Sequence, residues 1–334
     1  MPPPQLRAPL DPLTSTAVVL AVAAVSSSAP LIAFAAAPAL AIAFWRNALA
    51  VAVIGPYSLT RRRDEFAALR HGDGRRQAGY SALAGAALAV HFATWMPSTQ
   101  LTSVATAAGL VATQPVWQGL IALGQGRRPP PVVWAGIGLA VLGALVATGA
   151  DLRTDPRAFL GDLLAIGGAV AAAVYTALGE RARTSLSTTT YTTVCYGVCA
   201  LLLLLVCLVG GVPLTGFDDA TWLAILGLVV GAQLLGHSMF NYALHRMSAT
   251  TVSVLALLEA PGAALIAWLW LDQTPRPWAL PGLGLLLVGV AVVLLGGARR
   301  QPGSPSARTL AAQSRAASAG SLAFGSGRRG RRSR

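Results

Sequence analysis

Long apolar runs without a single charged residue dominate the pattern along the chain. Residues 12–45, 77–126, 129–150, 184–217 and 277–298 contain no Asp, Glu, Lys or Arg. A helix that crosses a membrane needs about 20 consecutive, mostly apolar residues. Each run is long enough for one such helix, and the longest is long enough for two. The pattern therefore predicts an integral membrane protein built from helices.

Prolines and short polar segments divide these runs into individual helices. Pro38, Pro97 and Pro213 fall between apolar stretches, where proline commonly ends a helix. The division predicts an all-α integral membrane fold of ten transmembrane helices, five in each half of the chain. The predicted spans are 14–35, 39–59, 78–96, 101–123, 132–150, 160–179, 188–209, 220–244, 248–270 and 278–297.

The composition and the charge agree with a membrane location. Hydrophobic residues make up 54% of the 334 residues and charged residues 11%, whereas soluble domains are about 25% charged. The net charge of +13 would suggest a nucleic-acid partner in a soluble protein. Here the arginines lie in short segments between predicted spans and in the C-terminal tail. No nucleic-acid partner is therefore expected.

The distribution of arginine predicts the orientation. With the ten spans above, 21 arginines fall on one side of the membrane and 3 on the other, and Arg46 lies inside a span. Cytoplasmic segments carry the excess of Lys and Arg in membrane proteins. The prediction is a multi-pass protein of the cytoplasmic (inner) membrane with both termini in the cytoplasm.

The chain also repeats itself. Residues 91–150 align without gaps on residues 237–296, at an offset of 146, and Pro115 meets Pro261 in this alignment. A unit with an odd number of spans inserts upside down when it is repeated. The result is an inverted repeat, which supports alternating access to a site at the membrane midplane. Chance agreement between two sets of Gly- and Leu-rich helices is the alternative.

The predicted organisation follows from the spans and the repeat. A short cytoplasmic N-terminus precedes two five-helix repeats, and a basic tail rich in Ser, Ala and Gly is expected to be disordered. The segments are 1–13 for the N-terminus, 14–150 for the first repeat, 151–298 for the second repeat and 299–334 for the tail.

Two charged residues are the clear cases of a charge deep within a predicted span, where a charge is costly and often functional. Arg46 lies in the second span, and it could also extend to the nearer membrane surface. Glu259 lies near the middle of the ninth span, with small residues beside it that indicate a packed helix face. Glu259 could pair with Arg46, bind a cation or exchange a proton, or it could simply hold helices together.

Polar residues on the other spans complete the candidate substrate site. His91 and His237 occupy equivalent places in the two repeats, and His237 shares a helical face with Gln233 and Asn241 at a spacing of four. Packing histidines are the alternative interpretation. The candidate substrate-binding residues are Arg46, His91, Gln114, Trp117, Tyr175, His237, Asn241, Tyr242 and Glu259.

The sequence gives no indication of covalent chemistry. No nucleophile with a base and no metal-ligand cluster is visible, and the three cysteines, Cys195, Cys199 and Cys207, share one apolar segment. The prediction is a protein that is not an enzyme, with no catalytic residue, no metal and no cofactor.

Several motifs resemble the EamA-type family of the drug/metabolite transporter superfamily. The second half contains ALHRMSAT at 243–250, LLEAP at 257–261 and AWLWLD at 267–272. FWRN at 44–47 and GDLLA at 161–165 resemble helix segments of the same family. The resemblance covers about residues 14–297. It implies a duplicated five-helix fold that exports or exchanges small metabolites, amino acids or drugs, often coupled to an ion gradient.

The leading hypothesis is therefore a secondary transporter, and more specifically an exporter. A membrane-embedded enzyme and a non-transporting receptor or scaffold are the alternatives. The expected partners are a small-molecule substrate, membrane lipid and a coupling ion, either a proton or sodium. Whether the protein forms a homodimer is left open.

Overall fold

The computed structural model describes residues 11–102, 104–148, 156–271, 277 and 279–298. The described residues are helical, with no strand among them, and those up to Gly297 belong to one compact unit. The predicted disordered tail, residues 299–334, lies outside the described residues. The predicted boundary between the two repeats at residues 150 and 151 also lies outside them.

Fifteen α-helices and one π-helical segment make up the described part. They are α1 (Pro12–Ser26), α2 (Ser28–Phe34), α3 (Ala39–Arg61), α4 (Arg63–Ala68), α5 (Gly72–Leu101), α6 (Val104–Val111), α7 (Gln114–Gly124), α8 (Pro131–Thr148), α9 (Pro156–Ala182), α10 (Thr188–Val209), α11 (Asp219–Leu228), π1 (Val229–His237, the π-helical segment), α12 (Ser238–Ala243), α13 (Ala249–Ala256), α14 (Glu259–Leu271) and α15 (Ala279–Ala298).

Seven helical stretches of the described part are long and apolar enough to cross a membrane. They coincide with predicted spans one, two and six to ten, and they are Pro12–Ile32, Ala39–Arg61, Pro156–Ala182, Thr188–Val209, Asp219–Ala243, Ala249–Ile266 and Ala279–Gly296. The integral membrane fold and its helical class are confirmed, and the count of ten spans stays a prediction.

The other three predicted spans correspond to α5, to α6 with α7, and to α8. Helix α5 is 30 residues long, but its glycine, serine, threonine and histidine residues lower its mean hydropathy. Helices α6 and α7 are 8 and 11 residues long and are separated by a turn. The apolar part of α8 is Pro131–Ala147, which is slightly shorter than a full span.

Side chains with a hydrogen-bond acceptor set the start of four helices. Asp11, Ser187, Asp218 and Ser248 each accept a hydrogen bond from the backbone N–H three residues further on. Such N-caps satisfy an N–H group that has no partner within the helix. The starts of α1, α10, α11 and α13 are therefore encoded locally.

Glycines allow α8 and α15 to cross at very close range. A Cβ atom added to Gly143 would lie 2.7 Å from the carbonyl oxygen of Gly282, and one added to Gly289 would lie 2.7 Å from the carbonyl oxygen of Gly136. The helices run antiparallel, because the earlier residue of one meets the later residue of the other. Small residues at such crossings let helix backbones approach in a membrane.

This crossing has the symmetry expected of the repeat. With the offset of 146, Gly136 corresponds to Gly282 and Gly143 corresponds to Gly289. Exchanging the two halves therefore converts each Gly–Gly contact into the other, as a two-fold axis does in a symmetric dimer. The antiparallel arrangement is what two inverted halves produce.

The other helix contacts are also related by exchange of the two halves. Helix α5 packs on α9. The counterpart of α5 is formed by π1 and α12, the counterpart of α9 is α1, and these counterparts also pack on each other. Helix α3 contacts π1, and the corresponding α10 contacts α5. The two halves are thus interleaved, and their shared interior lies between helices of both repeats.

Polar contacts link the ends of several helices on one side of the bundle. This side is here called the basic end, and it is defined by Glu65, Arg127, Glu180 and Arg183. Arg127 donates to both carboxylate oxygens of Glu180 at 2.8 and 2.7 Å. Glu180 also accepts the N–H of Ala249 at 3.2 Å. These bonds join the ends of α7 and α9 to the start of α13. The hydrogen bonds from Arg127 to Glu180 raise the pKa of the Arg127 guanidinium.

Two further contacts complete the basic end. Glu65 accepts hydrogen bonds from the N–H and the hydroxyl of Ser187, at 3.0 and 2.8 Å. Partial burial opposes ionisation of this carboxyl, but the bonds from Ser187 outweigh it, so the pKa of Glu65 lies below its ordinary value of 4.5. The Nε of Arg183 donates to the carbonyl of Asn241 at 3.0 Å and ties α9 to α12.

Candidate functional site

Two helices break at matching places in the two halves. Helix α6 ends at Val111 and α7 begins at Gln114, while α13 ends at Ala256 and α14 begins at Glu259. Each break is followed by a proline, Pro115 or Pro261, which has no N–H to continue the hydrogen-bond ladder. Interrupted helices in membrane proteins are tolerated where they line a cavity.

A cavity lies beside both breaks. Its volume is about 240 Å³, and α3, α5, α9, π1 and α12 contribute to its wall together with the two broken helices. Most of the wall is apolar, with Leu88, Phe92, Phe240 and Leu257 among its members. The polar groups are few, which is the usual composition of a small-molecule site.

Seven of the nine candidate residues line this cavity. They come from both halves of the chain, and they are Arg46, His91, Gln114, Tyr175, His237, Asn241 and Glu259. Their convergence on one cavity is a finding of the structure, and a role for them in substrate binding stays a proposal.

The other two candidates, Trp117 and Tyr242, are not part of the cavity wall. The indole N–H of Trp117 donates to the hydroxyl of Thr113 at 3.1 Å, one turn earlier along the chain. Tyr242 follows Asn241 in α12, and consecutive helical residues point about 100° apart. Since Asn241 faces the cavity, its neighbour is directed elsewhere.

Arg46 is fully inside the bundle, with 1% of its surface exposed. Its Nε donates to Oε1 of Gln233 at 2.8 Å, and its guanidinium carbon lies 4.8 Å from the ring centre of Phe92. Its Nη2 is buried and has no hydrogen-bond partner. The side chain therefore does not reach towards a membrane surface, which was one of the alternatives.

Gln233 holds Arg46 through a second contact of its own. The Nε2 of Gln233 donates to Oδ1 of Asn47 at 3.1 Å, and Nδ2 of Asn47 donates to the carbonyl of Ala43 at 2.9 Å. Both amides are fully buried. Gln233 and Asn47 were not among the candidate residues. The only sequence signal for Gln233 was its spacing of four from His237.

A second hydrogen-bonded chain continues from the cavity into the bundle. The hydroxyl of Tyr175 donates to Oδ1 of Asn241 at 2.9 Å, and Nδ2 of Asn241 donates to the hydroxyl of Tyr196 at 3.2 Å. Tyr196 and Ser238 share a further hydrogen bond at 3.2 Å. Helices α9, α10 and α12 are thereby joined by polar contacts that fix Tyr175 and Asn241 at the wall.

The π-helical segment sets the directions of these side chains. Over Val229–His237 the backbone bonds span five residues instead of four, and the hydroxyl of Ser238 reaches the carbonyl of Gln233, five residues earlier, at 3.2 Å. A π-helix is rare and is often found at functional sites. Gln233 consequently reaches Arg46, while His237 and Asn241 line the cavity.

The two histidines both reach the cavity, as their equivalent places in the repeats suggested, but their contacts differ. The Nδ1 of His91 lies 2.9 Å from the carbonyl of Gly168, and its ring stacks on Trp95 with 5.7 Å between ring centres. His237 meets Phe92 edge to face at 6.1 Å and lies 6.3 Å from the ring of Tyr175.

Glu259 begins α14 and lines the same cavity. Its carboxyl is at the positive end of the helix dipole, which favours a negative charge there. No ion pair joins Glu259 to Arg46. The ion pairs of the described residues are Arg62 with Glu65 and Arg127 with Glu180. A cation and an acid therefore face one cavity without neutralising each other by contact.

Comparisons with known proteins agree with this architecture. Among solved structures, 29 chains match. One is a crystal structure of a protein that shares 21% sequence identity, with a TM-score of 0.69 and coverage of 86% of this chain and 98% of the other. At this identity the match shows a common fold. Comparison with curated proteins gives no match.

The sequence pattern of one family matches the chain twice. The EamA-like transporter family matches residues 13–149 and again residues 159–295. The starts of the two matches differ by 159 − 13 = 146 residues, which is the offset of the internal repeat. The duplication and the family resemblance inferred from the sequence are thereby confirmed. Since the two matches cover most of the chain, the protein belongs to the EamA-like transporter family.

Proposed function

We propose that the protein is a secondary transporter that moves a small organic molecule across the cytoplasmic membrane through the cavity between its two halves. The observation that carries the proposal is the meeting of two equivalent broken helices at one cavity. Membrane carriers commonly build their substrate sites from such discontinuous helices at a repeat interface. Family membership supports the same conclusion.

Export is the proposed direction of transport, as the family resemblance implies. We propose further that the basic end lies in the cytoplasm. The arginine distribution supports this orientation, because the contacts of the basic end involve the segments that hold most of the arginines outside the tail. Single cysteines at Arg75 and Asp219, in a background without the native cysteines, test it in intact cells. We expect an impermeant thiol reagent to reach position 219 and not position 75 from outside. The opposite labelling would refute the orientation.

Flux through the purified protein tests the transport proposal. Proteoliposomes are loaded with a defined mixture of amino acids, sugars, nucleosides and organic acids, and the compounds that leave are measured by mass spectrometry. We expect a small set to leave faster than from protein-free liposomes. Equal loss of every compound from both kinds of liposome would contradict transport and favour a receptor or scaffold.

A pair of variants ties the flux to the cavity. Ala112 lines the cavity at the first break, and Leu120 on α7 is 47% exposed on the outer face of the bundle. Ala112→Phe fills part of the cavity and should abolish the flux, whereas Leu120→Phe should leave it within about twofold. Flux by Ala112→Phe at the wild-type rate would place the pathway elsewhere.

A further inference from the structure

We propose that Arg76, Tyr80 and Arg181 form a binding site for the phosphate of an anionic phospholipid, on the outer surface where α5 and α9 meet at the basic end. None of the three residues lines the cavity, and the inference does not depend on the proposed transport function. It rests on the contacts among these residues, on their charges and on the apolar surface beside them.

Two guanidinium groups from different helices meet at one tyrosine. The Nε of Arg76 on α5 donates to the hydroxyl of Tyr80 at 3.0 Å, and the guanidinium carbon of Arg76 lies 5.5 Å from the centre of the tyrosine ring. Arg181, in the last turn of α9, places its guanidinium carbon 5.7 Å from the same ring centre and also interacts with the hydroxyl. The phenol oxygen therefore marks a point where two positive charges converge.

These two charges have no carboxylate partner in the part of the chain that the structure describes. The ion pairs found there are Arg62 with Glu65 and Arg127 with Glu180. The tail, residues 299–334, contains no Asp or Glu that could take their place. Two like charges held at one tyrosine repel each other, and an anion between them removes this repulsion. A phosphate is favoured, because the N–H groups of a guanidinium fork match its oxygens in pairs.

The hydroxyl of Tyr80 adds a third donor to the site. It accepts a hydrogen bond from Nε of Arg76, so its own hydrogen can be donated to another group. A phosphate oxygen beside the hydroxyl would receive this bond together with bonds from both guanidinium groups. The ammonium of a zwitterionic headgroup would instead be repelled by the same two cations. The site therefore favours anionic phospholipids over zwitterionic ones.

The surface next to these residues suits the acyl chains of a lipid. Leu83 lies three residues after Tyr80 on the same helical face and is 58% exposed, and Val90, further along this face, is 51% exposed. Gly79 leaves open space on this face, since an added Cβ would meet nothing within 4 Å. Arginine and tyrosine commonly lie where such an apolar surface meets the lipid headgroups. The occupant is therefore a phospholipid rather than a soluble phosphate, which would leave the apolar surface unused.

The site joins the two halves of the chain and occurs at one end of the bundle. Helix α5 belongs to the first family match and α9 to the second. With the offset of 146, the positions equivalent to the three site residues hold Trp222, Leu226 and Ala35, none of which is charged. A lipid bound at the basic end therefore contacts both halves, and the opposite end has no equivalent set of charges at these positions.

Lipid binding to the purified full-length protein in detergent tests the inference. The probes are long-chain phosphatidylglycerol, phosphatidylethanolamine with the same acyl chains, and soluble glycerol phosphate. Ligand-induced thermal stabilisation gives the affinities. We expect phosphatidylglycerol to bind about tenfold more tightly than phosphatidylethanolamine, a difference typical of hydrogen bonds between charged groups. Equal affinity for the two lipids would overturn the inference. Equal stabilisation by glycerol phosphate would also overturn it, because the site would then take a soluble phosphate.

Two double variants with the same change in charge assign the binding to the site. Arg76→Gln with Arg181→Gln should weaken phosphatidylglycerol binding about tenfold and leave phosphatidylethanolamine binding unchanged. The matched control is Arg61→Gln with Arg63→Gln, because both of these arginines are exposed and lie close in sequence to Glu65 of the basic end. The control should bind phosphatidylglycerol within about twofold of the wild type. An equal loss in both double variants would show a general attraction to basic residues and would overturn the site.

Single variants test the site where the double variant yields too little folded protein. Tyr80→Phe keeps the aromatic ring and removes the hydroxyl, so it should weaken phosphatidylglycerol binding about threefold. Arg181→Gln should weaken it at least as much, and Arg61→Gln should leave it unchanged. Wild-type affinity in Tyr80→Phe, or the same affinity in Arg181→Gln as in Arg61→Gln, would contradict a site built from these three residues.

Discussion

The two halves of the molecule share a scaffold but differ in the chemistry placed on it. Both contain a broken helix at the cavity, and both contribute a histidine, His91 or His237, at equivalent positions. The charges have no such counterparts. The position equivalent to Arg46 holds Thr192, and the position equivalent to Glu259 holds Thr113. Under the proposed function, the symmetric features belong to a scaffold that could alternate between two conformations, and the asymmetric charges are the residues expected to select the substrate.

The two ends of the bundle show the same contrast. At the basic end, Arg127 and Glu180 form an ion pair between α7 and α9. The equivalent positions in the other half hold Gln273 and Phe34, which cannot form one. An inverted repeat would make the two ends alike if its sequence were fully symmetric. The difference between the ends therefore lies in a few polar side chains.

The largest expected effect concerns the symmetric scaffold. Gly143→Ala and Gly289→Ala place a Cβ 2.7 Å from a carbonyl oxygen of the facing helix, and backbone cannot move aside as a side chain can. We expect each to reduce the stability by about 3 kcal/mol or to abolish the folded yield. Thermal unfolding in detergent measures it.

The control for the glycine crossing uses the same helices. Gly138 and Gly284 are also equivalent, and an added Cβ meets nothing within 4 Å at either position. Their alanine variants should be as stable as the wild type or slightly more stable. A large difference between Gly143→Ala and Gly289→Ala would show that the two-fold relation does not extend to the energetics of the crossing.

The next prediction concerns the asymmetric charges. Arg46→Thr installs the residue found at the equivalent position of the other half, and it leaves Glu259 without a compensating charge in the cavity. We expect the flux to fall by about tenfold to a hundredfold, because the cavity loses its charged donor, and a hydrogen bond to a charged group contributes about 1.5–3 kcal/mol. The initial rate of efflux from proteoliposomes is the measurement.

Thr192→Val is the reciprocal control. Thr192 is buried, and its hydroxyl donates to backbone carbonyls of its own helix, those of Thr188 and Thr189. Its removal should change the flux by no more than about twofold. If Thr192→Val were as inactive as Arg46→Thr, the two halves would be chemically equivalent at this position after all.

Proton exchange was one of the roles that the sequence left open for Glu259, and it would make this residue the site of coupling to a proton gradient. Among the described residues that line the cavity, it is the only acidic one. Glu259→Gln keeps the shape but cannot ionise, so it should abolish accumulation driven by a pH gradient and retain exchange at equilibrium. Thr113→Val, at the equivalent position, should retain both. A pH-driven uptake unchanged in Glu259→Gln would assign coupling to another group.

A smaller effect is expected from the ion pair at the basic end. Glu180→Gln removes the pair with Arg127 and weakens the bond to the N–H of Ala249. The pair is partly exposed, with 44% of Arg127 accessible, so the loss of stability should be about 1 kcal/mol and should shrink in high salt. Arg128→Gln, at the neighbouring arginine, should leave the stability unchanged. A loss of stability above about 3 kcal/mol would contradict this account, because a partly exposed ion pair between two helix ends should contribute less.

The smallest effect is a pH dependence at Glu65. The pKa of this carboxyl is lowered in the folded state, so its contribution is present above pH 4.5 and is lost as the pH falls through the folded value. The wild type should therefore lose more thermal stability than Glu65→Gln between pH 6 and pH 3. Parallel pH profiles for both proteins would show that the bonds to Ser187 do not favour the ionised form.

The sequence predicted most of the features that follow from hydrophobicity and punctuation, but Pro97, which was expected between two spans, lies inside α5. The apolar runs located seven helices with the length and hydropathy of a span, and the shared prolines located the repeat. Pro115 and Pro261 marked the neighbourhood of the breaks, but the breaks themselves precede each proline by up to four residues. A proline affects the preceding turn, where its ring clashes, so its position gives only the region of a break.

The polar contacts of the site were less accessible to sequence reasoning. Gln233 and Arg46 are 187 residues apart, and their contact depends on the packing of π1 against α3. The spacing of four assumed an α-helix through Gln233 and His237, whereas the π-helical segment changes the phase between them. Trp117 was among the candidate residues, but its indole N–H donates to the hydroxyl of Thr113, within its own broken helix.

Accessibility of the cavity from both sides tests the central claim most directly. Ala112→Cys and Ala256→Cys place a thiol at each broken helix, in a background where the native cysteines, Cys195, Cys199 and Cys207, are replaced. An impermeant thiol reagent is applied to oriented membrane vesicles from one side and then from the other. Alternating access predicts modification of both positions from either side, slowed by a transported compound. Modification from one side alone, under all conditions, would contradict a carrier that alternates around this cavity.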